Sequence, residues 1–204
     1  MVRRRHQTHA DEIRRHIATE AARLIAESGL RDYHEAKRKA ALRLGVFDEA
    51  TLPRNLEVED ALREHQRLFQ ADTQPRALRR LREAAVEAMR FLARFQPRLV
   101  GAVLEGTADA HSAVRLHLFA DDVRDVLALL DDHGIPYEED THLLATAVGH
   151  EVEVPSLRLS ADGVAVELML FACDGLHHAP LDRVTRKPMR RASLTAVEAL
   201  VAAD

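Results

Sequence analysis

The chain has 204 residues, of which 47% are hydrophobic, and a formal net charge of −4, enough apolar content for one sizeable buried core. Its single cysteine, Cys173, excludes an internal disulfide and a Cys-rich zinc site, which fits a reducing compartment. The basic residues at the start precede no apolar stretch, so we expect neither a signal peptide nor a membrane span, and a cytoplasmic location.

The first half of the chain has the apolar period of helices. Four helices are predicted: one through 13–25 that ends at Gly29, one at about Tyr33 to Leu44 that ends at Gly45, one that Asn55 caps and that runs to Phe69, and one that Pro75 opens and Pro97 closes. We therefore expect a helical N-terminal region.

The second half begins with strand patterns. The continuous apolar run Leu99 to Leu104 predicts a buried strand. Residues 113–119 then alternate, with Val114 and Leu116 expected on one face and Arg115 and His117 on the other.

A helix starting at Asp121 and Asp122 and a short strand at Tyr137 follow in the sequence. Two further strands, 151–159 and 164–171, are joined near Asp162-Gly163, a dipeptide that favours a hairpin turn. A final helix is predicted near the C-terminus, where Thr195 and Glu198 can cap its start reciprocally.

These elements predict an α+β fold in which a helical N-terminal part packs on a small mixed β-sheet. The division expected is a helical region at 1–97, a sheet region at 98–175, and a basic loop with the C-terminal helix at 176–204. Charge follows a similar division: residues 1–98 hold 21 basic and 15 acidic residues, 99–182 hold 3 and 16, and 183–204 hold 5 and 2. Such polarity is compatible with nucleic-acid contact or with docking of oppositely charged parts.

The order strand, Gly106-Thr107 turn, strand, helix, strand and acidic-ended hairpin, over roughly 92–172, resembles the polymerase-beta-like nucleotidyltransferase superfamily. The resemblance implies a nucleoside triphosphate at the turn, with Gly106, Thr107 and Ser112 as contacts. It also implies two Mg²⁺ ions held by an acidic pair on the next strand and a third carboxylate on a later strand. The whole chain further resembles a bacterial family of uncharacterised function, through segments such as Leu52-Pro53-Arg54-Asn55.

The acidic pair of that superfamily falls here on Ala113 and Arg115, while Glu167 occupies the third position. A fixed positive charge at Arg115 repels a divalent cation, so the resemblance predicts a degenerate member without standard two-metal chemistry. Arg115 can instead contact a phosphate or an RNA backbone, or pair with Glu167 across adjacent strands. His117, two residues beyond Arg115, is a candidate proton carrier or phosphate contact.

Three kinds of function stay open at this point. The first is binding of a nucleotide, an RNA or a protein partner; the second is an active transferase that uses Glu167, Asp109 and Glu105 with Mg²⁺ and a nucleoside triphosphate. Two basic clusters are candidate nucleic-acid contacts: Lys37, Arg38 and Lys39, and Arg186, Lys187, Arg190 and Arg191. The third is a helix-turn-helix regulator, although the segment 47–53, where its recognition helix would lie, is acidic and ends in proline.

No metal site is expected from the sequence itself. The twelve histidines form no His-Glu-x-x-His motif, and none stands beside cysteines at zinc spacing. Mg²⁺ enters only through the active-transferase alternative, and no membrane partner is expected.

Overall fold

A computed structural model describes residues 2–28, 30, 32–146, 150–182 and 184–204, with side chains from residue 11 onward. Within these ranges seven α-helices and one five-stranded mixed sheet are formed, so the α+β class predicted from the sequence is confirmed. The chain divides into two compact units, residues 1–73 with 183–185 and residues 74–182 with 186–204.

The first unit consists of three helices, α1 (Val2–Ser28), α2 (Tyr33–Arg43) and α3 (Asn55–Phe69), with a 3₁₀ turn at Glu49–Thr51. Small side chains line the contact between the first two helices. Ala21 of α1 and Ala36 of α2, for example, are both fully buried. Val58 of α3 completes this core, also without exposure. Short side chains let helix backbones approach closely, which is how an alanine-rich sequence builds a core here.

The predicted start of α3 is wrong by one residue. Asn55 is the first residue of the helix, and Arg54 precedes it in extended conformation, donating its N–H to the Glu57 carboxylate at 2.7 Å. Asn55 Oδ1 accepts instead from Lys37 Nζ at 2.8 Å. The predicted end of α1 at Gly29 lies outside the described residues.

The second unit alternates helices and strands. Its elements are α4 (Gln74–Phe91), β1 (Arg98–Val100), α5 (Ala102–Glu105), β2 (Val114–Phe119), α6 (Val123–Asp132), β3 (Tyr137–Ala145), β4 (Glu151–Ala161), β5 (Val164–Phe171) and α7 (Leu194–Ala203). The strand order is β1-β2-β5-β4-β3, in which β2 and β5 are parallel and the other pairs antiparallel.

One face of this sheet carries the core. Leu116 of β2 and Leu168 of β5 are fully buried and pack with Met89 of α4, Leu130 of α6 and Val197 of α7. The alternation predicted for β2 is therefore confirmed, and the odd-numbered residues of β2 and β5 point to the opposite face.

The predicted strand over Leu99 to Leu104 is wrong. β1 ends at Val100, and residues 102–105 form one helical turn. Gly101 separates them with φ of 72° and ψ of −156°, a conformation that a residue with a Cβ rarely adopts. Gly106, with φ of 82°, ends that turn, so it follows a helix rather than a strand.

The Asp162-Gly163 hairpin turn is confirmed. Both residues have positive φ, 47° and 74°, as a two-residue turn of this class requires. The turn pairs Ala161 with Val164 and thereby places Arg158 opposite Glu167.

Two helix boundaries in the second unit differ from the predictions: the end of α4 and the start of α7. α4 ends at Phe91, and a 3₁₀ turn at Ala93–Phe95 precedes Pro97. α7 is capped by Ser193, whose Oγ accepts from the N–H of Ala196 at 3.4 Å, so the reciprocal cap predicted for Thr195 and Glu198 is wrong. Glu198 pairs with Arg90 of α4 instead, at 2.6 Å.

The division between the two units falls at residues 73 and 74, earlier than the boundary predicted after residue 97. The reason is the apolar stripe of α4, in which Leu81, Ala85 and Met89 pack in the same core as β2 and β5. Among the described residues, no helix combines the length and apolar character needed to cross a lipid bilayer.

Shortening Leu116 to alanine is expected to lower the free energy of unfolding by about 2–5 kcal/mol, because it opens a cavity in the sheet core. The control is Leu143→Ala on β3, where the side chain is 54% exposed, with an expected loss below about 1 kcal/mol. Urea unfolding followed by circular dichroism measures both. Equal losses in the two variants would contradict the assignment of the core face.

Candidate functional site

Three charged side chains form one row across the sheet. Glu167 of β5 is the register partner of Arg115 on β2 and of Arg158 on β4. The row lies on the face opposite the core, because its residues are one position out of phase with Leu116, Leu168 and Leu157.

The Glu167 carboxylate is engaged at both oxygens. Arg115 Nε donates to Oε2 at 2.5 Å, and His142 Nε2 of β3 lies 2.7 Å from Oε1. The Glu167 side chain is only 9% exposed. Since a carboxylate acts as an acceptor, His142 carries its proton on Nε2 in this contact. The pairing of Arg115 with Glu167 that the sequence left open is therefore present.

A shallow pocket of about 300 Å³ opens over this row. Its polar lining comes from Arg115, Asp140, His142, Arg158 and Glu167. Arg158 Nη2 pairs with Asp140 Oδ2 on β3. The side chains of Arg115 and Arg158 are 50% and 55% exposed, so both guanidinium groups reach solvent beside the buried carboxylate.

This lining suits an anion better than a divalent cation. Ala113 offers no ligand atom, Arg115 brings a fixed positive charge, and the oxygens of Glu167 already accept from Arg115 and His142. Within the described residues, no three or more His, Cys, Asp or Glu side chains are arranged to hold a metal ion. A divalent cation here would need several free oxygen ligands.

The predicted nucleotide-binding turn forms a separate loop. Asp109 Oδ1 accepts from Ser112 Oγ and from the N–H of His111, each at 3.0 Å. The carbonyls of Gly106 and Ala108 accept from the Gln74 side chain of α4, at 3.0 and 2.8 Å.

This loop is buried and bonded to its own unit. Thr107, Asp109 and Ser112 are each at most 7% exposed. Within the described chain, the pocket lining does not include them or Gly106, so the sheet site and the turn are distinct.

His117 lies two residues beyond Arg115 on β2 and is fully buried. Arg191 Nε donates to its Nδ1 at 3.0 Å. Burial, together with the positive charges of Arg191 and Arg115, lowers the pKa of His117 to about 3. The ring is therefore neutral near pH 7, which argues against its predicted role as a proton carrier.

Arg191 lies between two aromatic rings rather than on a free basic surface. Its guanidinium carbon is 5.0 Å from the Phe119 ring centre and 5.2 Å from that of Phe171, and Nη1 donates to the carbonyl of Gly175 at 2.7 Å. Burial lowers the pKa of Arg191 to about 10. Its position fits a structural role in closing this end of the sheet face.

The other predicted nucleic-acid contacts are mostly engaged by neighbours. Lys37 bonds to Asn55, and its partial burial lowers its pKa. Lys39 pairs with Glu35 at 2.7 Å, and Arg190 with Glu105 at 2.9 Å.

Arg38, Arg186 and Lys187 are exposed. Because the other members of both basic clusters are engaged by neighbours, the two clusters are not continuous free surfaces.

The segment 47–53, where the regulator alternative needs a recognition helix, contains only the 3₁₀ turn Glu49–Thr51.

Asp140, His142 and Arg158 were not singled out from the sequence. Arg158 could have been found, because a two-residue turn at Asp162-Gly163 fixes its register opposite Glu167. His142 and Asp140 lie two strands away in the sheet, on a β3 that is far longer than the short strand predicted at Tyr137.

Comparison with known proteins adds no family: no protein-family model matches the chain, and no curated protein matches it.

The stability of the protein is expected to depend on pH through His117. Because its pKa is lower in the folded state than in the unfolded state, the unfolded state binds the extra proton as the pH falls below about 6.5. The stabilisation is fully present above that pH and is lost toward pH 3, by about 1.4 kcal/mol per pH unit.

Urea unfolding between pH 7 and pH 4 measures this slope in the wild type and in His117→Gln. The substitution is expected to remove the contribution of one proton, whereas His177→Gln, at an exposed position, keeps the wild-type slope. Identical slopes in the wild type and His117→Gln would contradict the buried neutral imidazole.

Proposed function

We propose that the pocket over Arg115, Glu167 and Arg158 binds the phosphates of a nucleotide without two-metal transfer chemistry. One observation carries the proposal. Residues 99–182 contain only three basic residues against 16 acidic ones, and two of the three, Arg115 and Arg158, flank Glu167 in one row. Such placement brings two of the few basic side chains of an acidic segment to one point of the sheet, where each is paired with one carboxylate, Glu167 or Asp140.

Arg115 is suited to a phosphate by its bonding. It uses Nε for Glu167, and within the described part of the chain Nη1 and Nη2 have no protein partner. A guanidinium offers two parallel donors to a phosphate, and such charge-assisted bonds are the strong ones. The pair with Glu167 holds the side chain in place, so less rotamer entropy is lost when a ligand binds.

A small ligand fits these surroundings better than a long nucleic acid. The pocket is about 300 Å³, at the lower end of ligand sites. An RNA backbone extending beyond it would run along a segment with a large acidic excess, which repels phosphates. A nucleotide can place its phosphates on Nη1 and Nη2 of Arg115, which face away from the contact with Glu167, while its remainder stays at the rim.

The active-transferase alternative requires carboxylates that are free to hold metal ions. Glu167 accepts from Arg115 and His142, and Glu105 pairs with Arg190 at 2.9 Å. Asp109 bonds to Ser112 in a separate loop. These contacts support binding over transfer, and the experiment below distinguishes the two.

Calorimetric titration with ATP and CTP in the presence of EDTA tests the proposal. Binding is expected without Mg²⁺, and Arg115→Ala and Arg158→Ala should each weaken it about tenfold or more, through loss of charge-assisted hydrogen bonds. Arg79→Ala on α4 is the matched control, because its side chain is 53% exposed and lies outside the pocket.

Three results would overturn this proposal. Absence of binding to either nucleotide refutes the site. Binding that requires Mg²⁺ and is lost in Glu167→Ala supports the active transferase. Salt-sensitive retention of RNA, without nucleotide binding, supports an RNA-binding protein.

Replacing the two residues at the acidic-pair positions should reverse the preference of the site. Ala113→Asp combined with Arg115→Asp supplies two carboxylates beside Glu167 and releases its Oε2 from the guanidinium. We expect Mn²⁺ binding in this double variant, measured by electron paramagnetic resonance, and none at this site in the wild type.

Arg115→Ala alone is the control, because it removes the cation without adding ligands. Mn²⁺ bound equally by the wild type and the double variant would contradict the role given to Arg115. Metal binding by Arg115→Ala alone would show that Glu167 needs no further carboxylates.

A further inference from the structure

The first unit contains a groove that the proposed nucleotide site does not involve. It has a volume of about 450 Å³ and lies between α2 and the segment 46–52. Ala41, Leu42, Val46, Phe47 and Leu52 provide its apolar lining. Its size is that of a site for a large side chain or a small ligand.

Large apolar side chains stand in solvent around this groove. Phe47 is 81% exposed, Leu42 65% and Leu44 45%, all within six residues of the chain. Single exposed apolar residues are common on protein surfaces, but a contiguous group beside a groove marks an interaction surface. Burying these three side chains would remove substantial apolar area from water.

Unpaired charges of both signs border the same groove. On α2, Arg38 is exposed and has no partner within the described part of the chain, whereas the neighbouring Lys39 is already paired with Glu35. On the opposite wall Asp48 and Glu49 are exposed, and the Glu49 side chain is likewise without a partner among the described residues.

We propose that this groove is the interface of a homodimer, in which Phe47 of each copy enters the groove of the other. A two-fold interface brings the same patch of both copies together, so each patch must be complementary to itself. A groove with an exposed phenyl ring at its edge, Arg38 on one wall and Glu49 on the other meets that condition. Arg38 of one copy then faces Glu49 of the other, twice in the dimer.

The mixed charge favours a second copy over other occupants. An acidic peptide would leave Arg38 satisfied but would meet Asp48 and Glu49, and a basic peptide would meet Arg38. Like charges brought together across an interface weaken binding, whereas the two-fold arrangement pairs opposite charges at both positions. This inference is independent of the nucleotide pocket in the second unit.

Sedimentation velocity on the full chain, from about 1 to 300 µM, measures the association, since a patch of this size gives a modest affinity. A dimer is expected in the upper part of this range. Phe47→Asp should weaken it at least about tenfold, as expected for a central aromatic residue.

The matched control is Phe69→Asp, because Phe69 of α3 is 73% exposed but does not line the groove. It should leave the association unchanged. Both residues are exposed, so neither substitution should prevent folding, and far-ultraviolet circular dichroism checks this point.

Charge reversal tests the pairing itself. Arg38→Glu and Glu49→Arg should each weaken the dimer, and the two together should restore it, because the opposite charges then meet again with the signs exchanged. Mixing the Arg38→Glu variant with the Glu49→Arg variant separates this pairing from an effect within one chain, because opposite charges at these two positions then meet only between the two different copies.

The proposal is overturned by any of three outcomes. The wild type stays monomeric over the whole concentration range, Phe69→Asp weakens a dimer as much as Phe47→Asp, or the double charge reversal fails to recover the association of the wild type.

Discussion

The ion pair between Arg115 and Glu167 determines what the open face of the sheet can bind. The two residues are register partners on parallel strands, and the carboxylate is buried while half of the arginine side chain reaches solvent. A buried carboxylate is stable when its charge is compensated and its oxygens are hydrogen-bonded; here Arg115 supplies the positive charge and His142 a second hydrogen bond. The same pairing that satisfies Glu167 takes it away from any cation. It also fixes Arg115, whose Nη1 and Nη2 have no protein partner within the described part of the chain.

The sheet face divides into two parts along β2. At Arg115 it is open, polar and lined by charges from four strands, whereas at His117 it is closed by Arg191, which lies against Phe119 and Phe171. In the closed part the guanidinium of Arg191 also donates to the carbonyl of Gly175, in the short helical turn Cys173–Leu176 that follows β5. The alternation of residues in the sequence predicts that Arg115 and His117 lie on one face, but it does not indicate which of the two is exposed to solvent.

Much of the fold follows from local patterns, and the exceptions have physical causes. Helices α2 and α3 and strands β2 and β5 follow most of their apolar periods because each buries one face, whereas Leu44 and Phe69, at the ends of the predicted helices, are 45% and 73% exposed. The strand predicted over 99–104 failed because apolarity alone does not distinguish a strand from a helical turn, and Gly101 interrupts the strand. In the site, the pairing of β2 with β5 joins segments about fifty residues apart, and no local rule gives that register. The position of Glu167 opposite Arg115 was therefore a hypothesis from resemblance. The position of Arg158 opposite Glu167, by contrast, could be predicted from the residues of the turn at Asp162-Gly163.

The two-residue turn at Asp162-Gly163 has a consequence for how this sequence can vary. Strand residues alternate between faces, so the length of the turn decides which residues of β4 accompany Glu167. A single inserted residue would carry Arg158 toward the apolar layer and bring Leu157 or Leu159 to the open side. A change in loop length is usually tolerated at a protein surface, but here it would exchange the solvent-facing and core-facing residues of β4. The length of this loop is thus constrained, because a change would move the guanidinium of Arg158 off the open face.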